Sequence, residues 1–312
     1  MSISYNKVNT RKPSHSLLYR LPFFLVIFSF SFYAFAGEEQ LEKIRRTREI
    51  IIAHREASLP FSYLDDQKKP TGFAVDLCLK IVKAVERELQ MPLKINFLLV
   101  TPATRIAAIA EGKAAMECGS TTNNAERRKQ VDYTISHFVS SSKFLVRSDS
   151  GIEKIEDLSQ KRVASTKGTT NIKTLERLDS ERLLKMKIIE AKDHAAAFLM
   201  LERNEVDAFA MDDVLLYGLR SSSVSPETFK IVGKPMTIEP YAIMLPKGDA
   251  AFKKVVDTEM RRIIHSREIY AIYSKWFEQP IPPKGINLAL PMSYLLRDSL
   301  KYPSDKVADS FN

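Results

Sequence analysis

The stretch "AAMECGSTTNNAERRKQ" (residues 114–130) places an apolar run, a glycine and a cluster of small polar side chains in direct succession. The apolar run is typical of a buried strand, and the polar residues after it are typical of a helix N-terminus. Asn123 and Glu126 fit a capping box, and Arg127 falls inside the predicted helix. This junction therefore predicts either a simple helix cap or a site for an anion, and the rest of the chain decides between them.

Strand-like and helix-like segments alternate on both sides of this junction. "EIIIAH" (49–54) is a β-branched run, "FAVDLCLKIVKAVEREL" (73–89) repeats apolar residues every four positions, and "LKINFLLV" (93–100) is again strand-like. This alternation predicts a mostly parallel sheet with helices on both faces. Farther along we predict strands over 143–147, 162–166, 186–191, 206–212, 229–233 and 241–246, and one long helix over 251–277.

The order of these elements predicts an α/β fold of two lobes. Residues 37–139 and 241–312 would form the first lobe, and residues 140–240 the second. Crossing segments near residues 139–143 and 235–241 would join the lobes, and the long helix near the C-terminus would return to the first lobe.

The first 36 residues have the composition of a secretory signal peptide. Four basic residues and no acidic residue precede the apolar run Leu21–Ala36, which ends in a small-x-small pattern. Sixteen residues are short for a membrane span, since the hydrocarbon core is about 30 Å thick. We expect cleavage before Gly37 and a periplasmic protein. Without these four basic residues the formal net charge falls from +9 to +5, a modest balance that gives no reason to expect nucleic acid as a partner.

Several classes of site have no support in the sequence. The motifs GxGxxG, GxxxxGK[ST], HExxH and GxSxG are absent, so we expect no nucleotide cofactor and no metal. Cys78 and Cys118 are the only cysteines; export permits a disulfide between them, but sequence alone does not decide whether it forms.

Polar and charged residues follow most of the predicted strands at the end where an open α/β sheet binds ligands. Taken singly, each has a structural explanation as a helix cap or a solvated loop charge. Together they offer three arginines, a histidine that could carry a charge, and an aspartate, which suits a ligand with two carboxylates and one ammonium group. The predicted site residues are Arg55, Arg105, Ser120, Thr122, Arg127, Thr169, Thr170, His194 and Asp212. An acidic amino acid, glutamate or aspartate, fits this charge pattern.

Seven stretches stand out in this order along the chain: "HREASLPFSYLD" (54–65), "ECGSTTNNAERRKQ" (117–130), "GTTN" (168–171), "IIEAKDHAAAF" (188–198), "AFAMDD" (208–213), "IVGKP" (231–235) and "KWFEQPIPPKGINL" (275–288). Together they resemble the polar amino-acid-binding proteins that serve ABC importers, known as solute-binding protein family 3. The resemblance covers roughly residues 41–305 and is most specific in the second and the last of these stretches.

The resemblance implies a type II periplasmic-binding-protein fold whose lobes close on a ligand, a monomer, and the membrane subunits of an importer as partners. It also implies three groups of ligand contacts. Ser120, Thr122 and Arg127 would hold the α-carboxylate. Asp212, with Thr169 or Thr170, would hold the ammonium group. Arg55, Arg105 and His194 would receive the side-chain carboxylate.

The chain departs from the relatives at two places. Pro102 stands where relatives have a serine three residues before the second arginine, which leaves Thr101 or Thr104 as a substitute contact. "YAIML" (241–245) stands where they often have "YGCML", so Cys118 lacks one neighbouring thiol. The first change puts the choice between glutamate and aspartate in doubt. The rival functions are an exported cyclohexadienyl dehydratase-like enzyme, in which His194 would act as acid or base, and a module that delivers ligand to a chemoreceptor.

Overall fold

The computed structural model describes residues 39–307. The predicted signal peptide (1–36) lies outside these residues, so its cleavage stays a prediction. Within the described part of the chain, no helix is both long enough and apolar enough to cross a membrane.

Nine α-helices and seventeen strands lie within residues 39–307. The helices are α1 (Gln40–Thr47), α2 (Phe73–Leu89), α3 (Arg105–Ala110), α4 (Thr170–Arg182), α5 (His194–Glu202), α6 (Asp213–Ser222), α7 (Ala250–His265), α8 (Glu268–Phe277) and α9 (Tyr294–Lys301). The strands are β1 (Glu49–His54), β2 (Ala57–Ser58), β3 (Ser62–Leu64), β4 (Pro70–Thr71), β5 (Lys94–Leu99), β6 (Met116–Glu117), β7 (Val131–Tyr133), β8 (Phe138–Ser140), β9 (Ser142–Arg147), β10 (Arg162–Thr166), β11 (Lys187–Ala191), β12 (Ala208–Asp212), β13 (Phe229–Val232), β14 (Glu239–Tyr241), β15 (Met244–Pro246), β16 (Pro280–Ile281) and β17 (Ile286–Asn287).

Two five-stranded sheets form the centres of two lobes. The sheet of lobe 1 has the strand order β5-β1-β6-β15-β7, and the sheet of lobe 2 has the order β11-β10-β12-β9-β13. The predicted two-lobed α/β fold is confirmed. The limits of the lobes (37–139 plus 241–312, and 140–240) stay a prediction, which the placement of the strands supports.

The sheets are only half parallel, so the prediction of mostly parallel sheets is wrong. In lobe 1, β1 runs parallel to β5 and β6, whereas β15 is antiparallel to β6 and β7. In lobe 2, β10 runs parallel to β11 and β12, whereas β9 is antiparallel to β12 and β13. The antiparallel strands β9 and β15 are the first strands after each crossing between lobes, and they therefore enter their sheets from the opposite end.

Two short strands carry the chain between the lobes. β8 leads from lobe 1 into β9 of lobe 2, and β14 leads from β13 back to β15 of lobe 1. The two strands pair antiparallel, with Glu239 opposite Ser140 and Tyr241 opposite Phe138. The two lobes are thus joined by a paired double connection, the arrangement expected of a hinge.

Helix α2 shows how local sequence builds the core of lobe 1. Its bounds coincide with the predicted segment, because apolar residues recur every four positions and lie on one buried face. Cys78 on this face forms a disulfide with Cys118, just after β6, with 6.3 Å between the Cα atoms. The disulfide therefore ties α2 to the junction at residues 114–130.

The predicted helix over 251–277 is in fact two helices. α7 ends at His265, and α8 begins at Glu268 after Arg267 adopts a left-handed backbone with φ of 64°. The turn lets each helix bury its own apolar face, with Ile263 on α7 and Trp276 on α8. As predicted, this segment packs on lobe 1, where the Arg87 guanidinium on α2 donates to the Glu259 carboxylate at 2.8 Å.

The helix predicted around Arg127 is only a 3₁₀ turn over Arg127–Lys129. Seven residues separate Asn123 from β7, which is too short for a regular α-helix together with its caps. Asn124, not Asn123, accepts a hydrogen bond from the Arg127 backbone N–H, so the predicted capping box is wrong. Asn123 instead accepts from Arg128, which is therefore partnered and not simply solvated.

Candidate functional site

The carboxyl ends of strands from both sheets surround one cavity between the lobes. About 210 Å³ of space there is free of protein atoms, and part of that space is open to solvent. Eight of the nine predicted site residues form its wall, and their role in binding stays a prediction. The wall consists of Arg105, Ser120, Thr122, Arg127, Thr169, Thr170, His194, Met211, Asp212 and Leu215. Arg55 is 2% exposed and is not on the wall.

Arg127 spans the cleft from lobe 1 to lobe 2. Its Nη1 donates to the carbonyl of Thr122 at 2.9 Å, and its Nη2 donates to the carbonyl of Gly168 at 3.2 Å. The second acceptor belongs to the turn before α4 of lobe 2. A bound carboxylate would compete for these guanidinium donors, which are the kind that bind a carboxylate through two parallel hydrogen bonds.

Arg105 is held in place by a short chain of hydrogen bonds. Its Nη1 donates to Thr121 Oγ1 at 2.7 Å, and that hydroxyl donates to Glu117 Oε2 at 2.7 Å. Glu117 is fully buried at the end of β6 and also lies close to Arg55. One buried carboxylate thus offsets part of the charge of two buried arginines.

Both buried arginines keep their charge at neutral pH. Burial, together with the nearby Arg105 guanidinium, lowers the pKa of Arg55 to about 9. Burial and the nearby Arg127 lower the pKa of Arg105 to about 10. Three cations therefore lie within electrostatic reach of one another, which raises the positive potential at this end of the cavity.

His194 is neutral in this surrounding, which removes the possibility of a charged histidine. Burial, and then Arg55 and Arg105, hold its pKa well below the ordinary value. Its Nδ1 lies 2.8 Å from Thr166 Oγ1. When that hydroxyl donates to Nδ1, the proton of the imidazole is on Nε2, which then serves as a donor to an anion. His194 is also the first residue of α5, whose cap is the Asp193 carboxylate.

Asp212 supplies the negative charge of the wall. Its Oδ1 accepts from Asn171 Nδ2 at 2.9 Å, and its Oδ2 accepts from the Tyr241 hydroxyl. Burial and the neighbouring Glu239 carboxylate raise the pKa of Asp212 to about 7. The residue is the N-cap of α6 by position, but its side chain makes no capping hydrogen bond. Capping alone therefore does not explain it.

Several buried nitrogen and oxygen atoms at this site have no hydrogen-bond partner among residues 39–307; those of the arginines are donors, and His194 Nε2 is one when Nδ1 accepts from Thr166. These atoms are Arg55 Nε and Nη1, Arg105 Nε, Ser120 Oγ and His194 Nε2. Leaving a buried donor unpaired costs ~1–3 kcal/mol, and more for a charged group. Such a cluster is favourable only where an acceptor with negative charge can meet it.

The comparisons with known proteins agree with this geometry. The family model for bacterial extracellular solute-binding proteins, family 3, matches residues 50–279. The chain belongs to this family. An L-glutamate/L-aspartate-binding protein of Pseudomonas aeruginosa is 45% identical over 271 residues, which cover 86% of this chain and 90% of the relative. A glutamate/aspartate import solute-binding protein of Escherichia coli is 39% identical over 272 residues, covering 87% and 90%.

A solved structure supports the fold of this family 3 protein. A mutant of ArgBP from T. maritima has a TM-score of 0.66, with 23% sequence identity over 76% of this chain and 98% of that chain. The match extends over almost the whole of that chain. The predicted type II periplasmic-binding-protein fold is therefore confirmed.

Other residues of the site escaped the sequence analysis. Glu117, Glu239 and Tyr241 are buried polar groups next to the predicted residues. Glu117 and Tyr241 fall in predicted strands, where we expected only packing, and Glu239 falls in a predicted crossing segment. A glutamate within an otherwise apolar strand is a detectable signal, because an ionised group is seldom buried without a partner. Glu117 in "AAMECG" (114–119) is such a signal.

The two threonines beside Pro102 are the expected substitutes for the missing serine. The hydroxyls of Thr101 and Thr104 lie 3.2 Å from each other, and neither residue is on the cavity wall. This arrangement does not favour the substitution, which stays a prediction. Because these two hydroxyls lie next to each other, the end of the cavity near Arg105 and His194 has no hydroxyl from this turn.

Proposed function

We propose that this protein is an exported solute-binding protein that captures glutamate or aspartate between its lobes. It would deliver the amino acid to the membrane subunits of an ABC importer. The single observation that carries the proposal is the set of unpaired buried donors on Arg55, Arg105 and His194, with the Asp212 carboxylate on the same cavity. The two close relatives bear names that specify this ligand pair.

The proposed contacts follow the charges of the wall. Arg127, with Ser120 and Thr122, would hold the α-carboxylate. Asp212, with Thr169 or Thr170, would hold the ammonium group. The remaining donors, Arg55, Arg105 and His194, would take the side-chain carboxylate, with Arg55 acting from just behind the wall. A neutral or basic amino acid would leave these cationic donors unpaired, at a cost of several kcal/mol.

We further propose that the protein binds its ligand without changing it. The arginines stay protonated near pH 7, and His194 is neutral and buried beside two cations, so these groups hold a ligand rather than move protons. Turnover of prephenate or arogenate by the purified protein would instead favour the dehydratase-like reading. Delivery of the closed form to a chemoreceptor is compatible with binding.

Location and assembly are part of the same proposal. The signal peptide over residues 1–36 would direct export to the periplasm and be removed before Gly37, and the mature protein would act as a monomer. N-terminal sequencing of the periplasmic protein, with its mass in solution, tests both points.

The central test is a thermal-shift screen of the mature protein against the twenty amino acids. A ligand that binds only the folded state raises the free energy of unfolding by RT ln(1 + [L]/Kd), and the melting temperature rises with it. We expect glutamate or aspartate to stabilise the protein and the other amino acids to do so weakly or not at all. Absence of stabilisation by both would overturn the proposed function.

Closure of the lobes is expected to depend on Gly168. Its backbone has a φ of +79°, and a Cβ atom there would lie 2.6 Å from Ala103 Cα and 2.7 Å from the Pro102 carbonyl oxygen, across the cleft. Because these neighbours are backbone atoms, Gly168→Ala should hold the lobes apart and weaken glutamate binding by about tenfold or more, as the closed state becomes less populated. Isothermal titration calorimetry measures this change.

Gly248 is the matched control for this variant. Its φ is +78°, but a Cβ atom there would meet nothing within 4 Å. Gly248→Ala therefore carries the same backbone strain, of ~1–2 kcal/mol, without any contact across the cleft. Equal glutamate affinities for the two variants would contradict closure at Gly168.

A further inference from the structure

Glu239 on the crossing strand β14 is a buried acidic residue that has no part in the proposed ligand contacts. Its side chain is not on the cavity wall, and the residue is 3% exposed. Three threonine hydroxyls donate to its carboxylate. Thr122 Oγ1 lies 2.6 Å and Thr170 Oγ1 lies 2.9 Å from Oε2, and Thr237 Oγ1 lies 2.6 Å from Oε1.

One oxygen of Glu239 thus connects both lobes with the hinge. Thr122 belongs to lobe 1, Thr170 is the first residue of α4 in lobe 2, and Glu239 lies between them on β14. Thr122 and Thr170 are both on the cavity wall. The carboxylate is therefore placed to control the two hydroxyls that a bound ligand would meet.

The control is chemical as well as geometric. An ionised carboxylate only accepts hydrogen bonds, and a hydroxyl has one proton to donate and two lone pairs that accept. Since Thr122 and Thr170 give their protons to Glu239, only their lone pairs remain for the cavity. A lone pair accepts from an ammonium group and repels a carboxylate oxygen.

We propose that Glu239 is a positioning residue that fixes the hydroxyls of Thr122 and Thr170 as acceptors, so that the site selects ligands with an α-ammonium group over dicarboxylates without one. This inference rests on the proposed function and refines it. With the Asp212 carboxylate, the two hydroxyls supply three acceptor groups for the three hydrogens of an ammonium group. Thr122 would then serve the ammonium with its hydroxyl.

The assignment leaves the α-carboxylate to other donors. The Thr122 backbone N–H makes no hydrogen bond within the described residues, so it is available to that carboxylate along with Arg127. The main chain and the side chain of Thr122 thus have opposite roles. This differs from the role given to the Thr122 side chain by the resemblance, which was the α-carboxylate.

The test compares the affinities for glutamate and for glutarate, which has both carboxylates but no amino group. Glu239→Met keeps the length of the side chain and removes the strong acceptor, so both cavity hydroxyls become free to turn their protons towards the ligand. We expect the ratio of glutamate to glutarate affinity, from calorimetry, to fall about tenfold or more. A purely structural role would weaken both ligands alike and leave this ratio unchanged.

Two further variants complete the test. Thr237→Val removes the hydrogen bond to Oε1 and leaves the two cavity hydroxyls untouched, so its affinity ratio should equal that of the wild type. Glu239→Asp withdraws the carboxylate by about one methylene, beyond hydrogen-bonding reach of at least one hydroxyl, and should lower the ratio even if Glu239→Met does not fold.

The outcomes separate this inference from the proposed function. If the wild type binds glutamate and the ratio is unchanged in both Glu239 variants, the positioning role is wrong while the proposed function stands. If the wild type binds neither ligand, the proposed function itself fails. A fall in the ratio for Thr237→Val as large as for Glu239→Met would also overturn the role assigned to the cavity hydroxyls.

Discussion

Arg127→Ala is expected to weaken glutamate binding by about 30-fold to several thousand-fold, because truncating one partner of a buried charge pair costs ~2–5 kcal/mol. Arg127 is 7% exposed, and its guanidinium already points into the cleft, donating to carbonyls of both lobes. Removing it would leave the α-carboxylate of the ligand buried without its cation. Isothermal titration calorimetry at constant salt concentration measures the loss.

Arg128 is the control for this prediction, since it is the next residue and carries the same charge. Its Nε donates to Asn123 at 2.8 Å and its Nη2 to the carbonyl of Asp305, while its guanidinium lies over the Tyr133 ring. It does not line the cavity. Arg128→Ala should therefore bind glutamate as the wild type does. An unchanged affinity in Arg127→Ala would contradict the assigned contact.

The strands and helices could be predicted where one local pattern covers a whole element. Helix α2 is such a case, because its apolar spacing persists from Phe73 to Leu89 and all five of its repeated positions are buried. The break between α7 and α8 could not be predicted in the same way. It depends on a left-handed backbone at Arg267, a residue that composition alone would place inside a helix.

The convergence of the site could be predicted because it follows from topology. Residues that follow the ends of parallel strands meet at one edge of a sheet, whatever their separation in the chain. The part of the site next to the crossing strands β8 and β14 could not be predicted in this way. Glu239 pairs across β14 and β8 with Ser140, about a hundred residues away, and its threonine partners come from both lobes. No local pattern contains that arrangement.

The charge states of the site also required the three-dimensional structure. From the sequence, His194 could be charged or neutral, because the position of a residue after a strand does not show which cations lie near it. Burial beside Arg55 and Arg105 makes the neutral form the stable one. Burial raises the pKa of Asp212, whereas it lowers the pKa of His194, and in both residues the charged form is disfavoured. The cavity therefore keeps its arginine charges at neutral pH, while Asp212, the carboxylate on its wall, is poised to titrate.

Asp212→Asn is expected to weaken glutamate binding by about 30-fold or more at pH 8, since the ammonium group would lose a buried charged partner. Without ligand the same variant should be more stable than the wild type at pH 8. The pKa of Asp212 is raised from 3.8 to about 7, so burial of its ionised form costs on the order of 4 kcal/mol. Asparagine can keep hydrogen bonds to Asn171 and Tyr241 without that cost.

The sign of the pH dependence follows from the same raised pKa. The folded protein gains from the protonated carboxyl below pH 3.8, and this contribution is lost as pH rises through about 7. The stability advantage of Asp212→Asn should therefore be largest at pH 8, smaller at pH 5 and absent below pH 3.8. Thermal melting of ligand-free wild type and variant across this range measures it.

Ligand binding should show the opposite trend in the wild type. An ammonium group needs the ionised carboxylate, so glutamate affinity should fall by up to about tenfold for each pH unit below 7, as a proton must be released. The ligand carboxylates stay ionised above about pH 5.5. Of the groups around Asp212, Tyr241 stays protonated because burial and Asp212 hold its pKa well above the ordinary value.

Two variants test whether this pH dependence comes from the Asp212 carboxyl group. Asp212→Asn should bind weakly, with little change between pH 5.5 and 8. Asp213→Asn is the control, because the Asp213 carboxylate accepts from the Ser140 and Ser141 hydroxyls at 2.7 Å and is not on the cavity wall. It should keep the loss of affinity at low pH, since the titrating group of the cavity is intact, with the midpoint moved slightly lower because the Asp213 charge helps to raise the pKa of Asp212. A pH dependence that survives in Asp212→Asn would assign the proton to another group.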